Sequence, residues 1–154
     1  MTIYLGADHG GFALKETIKP WLREWGYQFE DCGAVSFQPE DDYPDFAFMV
    51  AQKVAQTAKR DEAAMGVLLC RSGCGMAISA NKVEGIRAAA VSSVQEAQHA
   101  REHNDANVIS LAADWIDETV AKESLHAFLT TPASQEERHQ RRIQKISAFE
   151  RAQK

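Results

Sequence analysis

Only three cysteines occur among the 154 residues, Cys32, Cys70 and Cys74. So sparse and odd a set offers no disulfide framework and points to a reducing compartment. Positive charge is not in excess either: 17 Lys and Arg stand against 22 Asp and Glu, a formal net charge of −5 at pH 7. A general nucleic-acid surface needs a basic face, so nucleic acid is not expected as a partner, whereas a local basic pocket for a small anion remains open. No apolar run is long enough to span a bilayer, so no membrane partner is expected. Residues 1–5 run straight into strand-like sequence with no charged segment, apolar segment and cleavage site, so no leader is expected and a cytoplasmic location is. Internal repeats and low-complexity tracts are missing too.

Hydrophobic residues make up 45% of the chain, enough for a sizeable core without disulfide or metal staples, and the length suits one domain over 1–154. Two periodicities alternate along it. Short strands are predicted at 3–5, 27–29, 66–70, 86–91 and 108–111. Helices are predicted over roughly 12–25, 43–58, from Gly73 onward, 94–102, 117–129 and 135–154, with 31–44 as an irregular loop. Gly66-Val67-Leu68-Leu69-Cys70 is apolar throughout, the pattern of a strand buried on both faces. Five strands alternating with helices predict an α/β fold: a Rossmann-like three-layer sandwich, with a five-stranded parallel sheet, helices on both faces and an extra C-terminal helix. Ligands of such sheets bind beyond the carboxyl ends of the strands. Asp8-His9-Gly10-Gly11 and Cys70-Arg71-Ser72-Gly73-Cys74-Gly75 both fall there, facing one cleft.

The second of these segments joins a buried strand to a helix start. Small residues let backbone approach a ligand, and freed amides at a helix N-terminus favour negative charge, including a thiolate. Buried cysteines are also ordinary packing, so on the loop alone both readings stand. A phosphate-binding Walker loop would need Lys where Met76 follows Gly75. A dinucleotide fingerprint would need a glycine spacing that Gly6, Gly10 and Gly11 do not have. Cys70 and Cys74 lack the further Cys/His pair that a tetrahedral metal site requires, so no metal is expected.

A set of motifs then occurs in order: Gly6-Ala7-Asp8-His9-Gly10-Gly11-Phe12, Asp42-Tyr43-Pro44, Cys70 to Gly75 with Ala80-Asn81-Lys82, Gly85-Ile86-Arg87-Ala88, His103-Asn104-Asp105-Ala106-Asn107 and Arg138-His139-Gln140-Arg141-Arg142. Through them the chain resembles the ribose-5-phosphate isomerase B family, which also contains the galactose-6-phosphate isomerase subunits. The resemblance runs from Ile3 to about Phe149. It implies cofactor-free interconversion of an aldose phosphate and a ketose phosphate through a cis-enediolate. It places the proton-moving base at Cys70, the ring-opening group at His103 with Asp8 as polar partner, and enediolate stabilisation on Ser72 and the amides of residues 71–75. His9, Arg138 and Arg142 match phosphate-binding positions and Asn104 a sugar-contacting one; Tyr43, Arg71, Gly73, Cys74 and Gly75 fall on the substrate-binding surface. Some members carry a carboxylate base where this chain has Met76, so this sequence is of the cysteine type.

Two departures from the family pattern bear on substrate choice. Arg71 stands where Gly usually follows the cysteine, and Asp114 stands where many members have a phosphate-holding Arg. A long cation at Arg71 is expected to offset the lost one, to shorten the acceptable substrate, or simply to point to solvent. His103 and Asn104 precede the last predicted strand, whereas Cys70 follows the third. One chain would place them at opposite sheet edges, so the expected assembly is a homodimer with shared sites, or a tetramer of the same chain. The leading expectation is an isomerase of ribose 5-phosphate. The alternatives are another phosphosugar, a hexose 6-phosphate or a tetrose phosphate, and a phosphosugar-binding regulator without turnover.

Overall fold

The computed structural model describes residues 1–153. Five parallel strands are formed by Thr2–Ala7 (β1), Gln28–Asp31 (β2), Ala64–Cys70 (β3), Ala88–Val91 (β4) and Val108–Ala112 (β5). Between and after them run the helices Phe12–Glu24 (α1), Tyr43–Ala58 (α2), Cys74–Ala80 (α3), Val94–Asn104 (α4), Glu118–Thr130 (α5) and Glu137–Ala152 (α6). The strand order is β2-β1-β3-β5-β4. Chain direction along the sheet therefore reverses between β1 and β3, the switch point at which open α/β sheets hold their ligands.

Alternation along the strands builds the expected three layers. Ile3, Leu5, Val67, Leu69, Ile109 and Leu111 pack with Ile18, Trp21 and Leu22 of α1, Ala97 and Ala100 of α4, and Leu125 and Phe128 of α5. On the other face Leu68, Cys70 and Val108 meet Val50, Ala51 and Val54 of α2 and Met76 and Ala80 of α3. Successive residues of a strand thus serve opposite cores, which explains why β3 is apolar at every position. The sixth helix belongs to neither layer. His139 is its one buried residue, and Ile146 and Phe149 stand 53% and 69% exposed.

Several predicted boundaries shift, for reasons that lie in side chains. The strand expected at 86–91 starts only at Ala88. Ile86 N–H instead closes a turn onto the Val83 carbonyl, and the Asn107 side chain takes the Arg87 N–H at 2.8 Å. Asn81 then holds Ala88 from both its carbonyl and its amide, so this motif asparagine pins the edge strand. The second strand lies at 28–31 rather than 27–29, because Tyr27 N–H is still bonded to Leu22 of the helix before it. The last helix begins at Glu137, not 135, and of its predicted span Lys154 lies outside the described residues. Within α1 the apolar face also buries Lys15, whose Nζ reaches Asp31 at 2.7 Å and the Ala34 carbonyl at 2.8 Å.

The turn after β1 reaches its place because residue 11 is glycine. A Cβ there would collide with the Leu69 carbonyl and side chain of β3. Gly11→Ala is therefore expected to destabilise the fold by about 1–3 kcal/mol, the usual cost of overpacking. Urea denaturation checks this: a midpoint unchanged from wild type would contradict so tight an approach.

Candidate active site

The two segments expected at the cleft do meet at the carboxyl ends of β1 and β3. Asp8 N–H bonds the Leu69 carbonyl at 3.3 Å, and a Cβ on Gly10 would lie 2.5 Å from Arg71 Cγ. Asp8 is buried, and its Oδ1 accepts the Gly11 N–H at 3.0 Å. Burial pushes the Asp8 carboxyl above its ordinary value, and the Gly11 hydrogen bond and the neighbouring His9 only partly oppose this.

Cys70 ends β3, buried, with its Sγ accepting the Gly73 N–H at 3.1 Å. That geometry depends on Gly73, which sits at φ +73°, a left-handed conformation that side chains disfavour. The Gly73 carbonyl is in turn gripped by the buried Ser110 hydroxyl at 2.7 Å. Gly73 thus turns its amide to the sulfur, and the other amides of the loop remain for a ligand. Gly75 lies beneath the Tyr43 ring, so the start of α2 closes over the loop. Met76 is wholly buried in the α2–α3 core and Cys74 is exposed. The three thiols are free. Cys32 is the contrasting case, its thiol pushed up to about 11 by burial and the nearby Glu30.

The two departures at residues 71 and 114 form a single pair. Arg71 Nη1 lies 3.3 Å from Asp114 Oδ2, and the Arg71 carbonyl accepts the Asp114 N–H at 3.1 Å. The loops after β3 and β5 are latched by that pair and by Ala113 N–H on the Cys70 carbonyl at 2.9 Å.

His9 has a partner that the motif reading missed. Its backbone N–H and its Nδ1 both meet Asp41 Oδ1, at 3.0 and 2.7 Å. Asp41 lies in the irregular loop before α2, where no periodicity marks it; the acidic run Glu40-Asp41-Asp42 was the one visible signal.

The remaining expected residues lie elsewhere. His103 and Asn104 close α4, which leads into the start of β5, while Cys70 pairs with Ala112 at its end. The four steps from Val108 to Ala112 span roughly 13 Å at about 3.3 Å per residue. His103 is stacked between His99 and His139, with ring centroids 4.7 and 4.4 Å away. Burial, with His103 and Arg138 close by, holds His139 below the usual histidine range. Arg138 and Arg142 are exposed on α6, and Arg138 Nε pairs with Glu136 at 2.7 Å. Within one chain, then, Asp8, His9, Tyr43, Cys70, Arg71, Ser72, Gly73, Cys74 and Gly75 share the cleft, and His103, Asn104, Arg138 and Arg142 gather at the other end of the sheet. Arg87 of the motif set is structural: it grips the end of α4 through the Asn104 and Asp105 carbonyls.

Residues 3–146 match the ribose/galactose isomerase family. A ribose-5-phosphate isomerase B of Mycolicibacterium paratuberculosis is 43% identical over 151 residues, covering 98% of this chain and 92% of that protein. Among solved structures, a ribose-5-phosphate isomerase B of Mycoplasma genitalium with bound ribulose-5-phosphate is 38% identical, with a TM-score of 0.90 over 97% of this chain and 96% of the other. That of Clostridium thermocellum is 36% identical with a TM-score of 0.91, covering 100% of both chains.

The Asp8 shift has a consequence for stability. Because its native pKa lies above the ordinary 3.8, Asp8 favours the fold most below that value, and the benefit is lost as pH rises through the raised one. Asp8→Asn, neutral throughout, should gain stability relative to wild type as pH rises from 3.8 through the raised value. Urea denaturation across that range reads the difference, and a pH-independent one would contradict the raised value.

Proposed function

This chain belongs to the ribose/galactose isomerase family, and from that we propose that it interconverts ribose 5-phosphate and ribulose 5-phosphate, with Cys70 as the base. The observation that carries the assignment of the base is the Cys70 thiol at the switch point, with an amide directed at its sulfur and a core methionine at position 76. A thiolate there takes the proton from the carbon beside the substrate carbonyl and returns it to the neighbouring carbon, through a cis-enediolate. The Gly73 N–H on the sulfur fixes where the Cys70 side chain points. Negative charge on the enediolate oxygens falls to the other amides of 71–75 and the Ser72 hydroxyl; one such donor is typically worth about 3 kcal/mol. His9 holds the phosphate, Tyr43 walls the sugar, and no cofactor takes part.

Ring opening by His103, and phosphate and sugar contacts from Arg138, Arg142 and Asn104, require these residues to come from a second copy. Three observations support a homodimer with shared sites: the opposite placement of the two groups, the exposed Ile146 and Phe149 on α6, and Ile78 on α3, 63% exposed. A tetramer would pair such dimers. No helix among the described residues is long and apolar enough to cross a membrane, and three free thiols suit a cytoplasmic location.

Two experiments test this reading. Assayed against a panel of phosphosugars, wild type should turn over the pentose phosphates, and Cys70→Ser should lose roughly 10²–10⁴-fold in kcat, the range for a positioned base. Turnover confined to a hexose 6-phosphate or a tetrose phosphate would move the substrate, and binding without turnover would favour a regulator. Mixing Cys70→Ala with His103→Ala protein should restore activity, since each hybrid dimer retains one complete site. No recovery after proven subunit exchange would sink the shared site.

A further inference from the structure

We propose that Asp41 is a positioning residue for His9, so that the loop between β2 and α2 sets how strongly the cleft holds the phosphate of its substrate. This rests on the reading of His9 as a phosphate ligand.

The geometry around His9 is over-determined for a surface histidine. A single carboxylate oxygen, Asp41 Oδ1, accepts from both the His9 backbone at 3.0 Å and His9 Nδ1 at 2.7 Å. The first bond fixes where the residue sits and the second fixes the rotation of its ring. With Nδ1 committed, Nε2 on the far edge of the imidazole is the atom left for a ligand, and the ring must carry its proton at Nδ1. Carboxylates that grip one nitrogen of a working histidine from behind act in this way on its tautomer and aim.

Burial makes the pairing more than a surface contact. The Asp41 side chain is only 10% exposed, against 24% for His9, so water and salt screen the pair weakly. Asp41 Oδ2 is buried with no hydrogen-bond partner. A desolvated carboxylate with one idle oxygen is costly unless positive charge lies against it. His9 is the basic side chain bonded to it at 2.7 Å, and a ring that donates to Asp41 through Nδ1 can also hold a phosphate oxygen where Nε2 carries a proton.

The loop supplies support as well as charge. Phe37 stands edge-on to the His9 ring, with centroids 6.4 Å apart and planes at 89°, and also packs on Phe12 of α1. Asp41 N–H bonds the Gln38 carbonyl at 3.2 Å, and the carbonyl of Asp42 next to it accepts the Asp45 N–H of α2 at 3.2 Å. The carboxylate is therefore borne on the root of a helix. Asp8 feels both partners, raised by Asp41 and lowered by His9, so the pair also balances charge inside the cleft.

Steady-state kinetics on the full-length protein with ribose 5-phosphate, and inhibition by inorganic phosphate, provide the test. Asp41→Asn and Asp41→Ala should each raise KM and the phosphate inhibition constant by about tenfold, the order expected for a lost charge-assisted contact, with kcat changing far less. His9→Ala should do the same, and adding Asp41→Ala to it should cost nothing more. In ¹⁵N spectra the His9 Nδ1–H signature of wild type should be lost in Asp41→Ala. Should His9→Ala leave KM and phosphate inhibition unchanged, the phosphate reading of His9 itself fails. Should His9→Ala weaken phosphate while both Asp41 variants bind it normally, or should the two losses add, the positioning role is overturned. Asp41→Asn conserves the side-chain shape and serves where Asp41→Ala folds poorly.

Discussion

The cleft depends on one close approach, that of the turn after β1 against the end of β3. Residues 10 and 11 have no side chains to keep the two apart: Gly11 faces the Leu69 carbonyl, and Gly10 faces Arg71. Register leaves little freedom, since Ala7 lies opposite Leu69 in the ladder and the Asp8 amide continues the same pairing. Once the turn is seated, Asp8 is desolvated, His9 is carried to the rim, and the Cys70 thiol lies just across the ladder. A parallel sheet brings its strand ends together in this way only where chain direction reverses, which here is between β1 and β3.

Charge at the cleft is arranged in pairs. His9 is matched by Asp41, Arg71 by Asp114, and Asp8 by a backbone amide. The two rim pairs differ in strength. Arg71 is 65% exposed and its contact with Asp114 is long, so solvent competes with it and the guanidinium can be drawn to an anion at small cost. His9 and Asp41 are shielded and short, so that pair holds its geometry. By the resemblance, a position that commonly bears a cation is an acid here, and that acid is paired with the cation at residue 71.

What could be read from the chain was what is local. The loop 70–75, the burial of β3 and the glycines after β1 depend on neighbours in sequence, and pattern reveals them. Lys15 could not be seen as buried, because helical spacing marks it polar and its partners Asp31 and Ala34 arrive from the next strand. Asp41 stayed hidden for the same reason, its side chain meeting a residue 32 positions away from within an aperiodic loop. The start of β4 was misplaced because the Asn107 side chain, not a ladder partner, takes the Arg87 amide. Motif resemblance also gathered residues of two kinds. Asn81, Arg87 and Asn107 hold backbone together, whereas Cys70 and His9 face the cleft, and order along the chain does not separate these roles.

The sixth helix is the element least covered by its own chain. A 16-residue helix draws its stability in water mainly from a packed apolar face, and this one buries only His139 against its own chain. It is tied to its own chain by the stacking of His139 on His103 and by the Gly85 N–H on the Glu150 carboxylate at 3.0 Å, while Ile146 and Phe149 stand exposed. On the proposed dimer that uncovered face and the position of Arg138 and Arg142 have one explanation. The surface that would bury the helix against a second copy is carried by the same element as the arginines the second copy's cleft would use. Assembly and phosphate recognition would then be two results of one docking event. With Cys70 at one end of the sheet and His103 at the other, such docking is what would bring the proposed base and the proposed ring-opening group together.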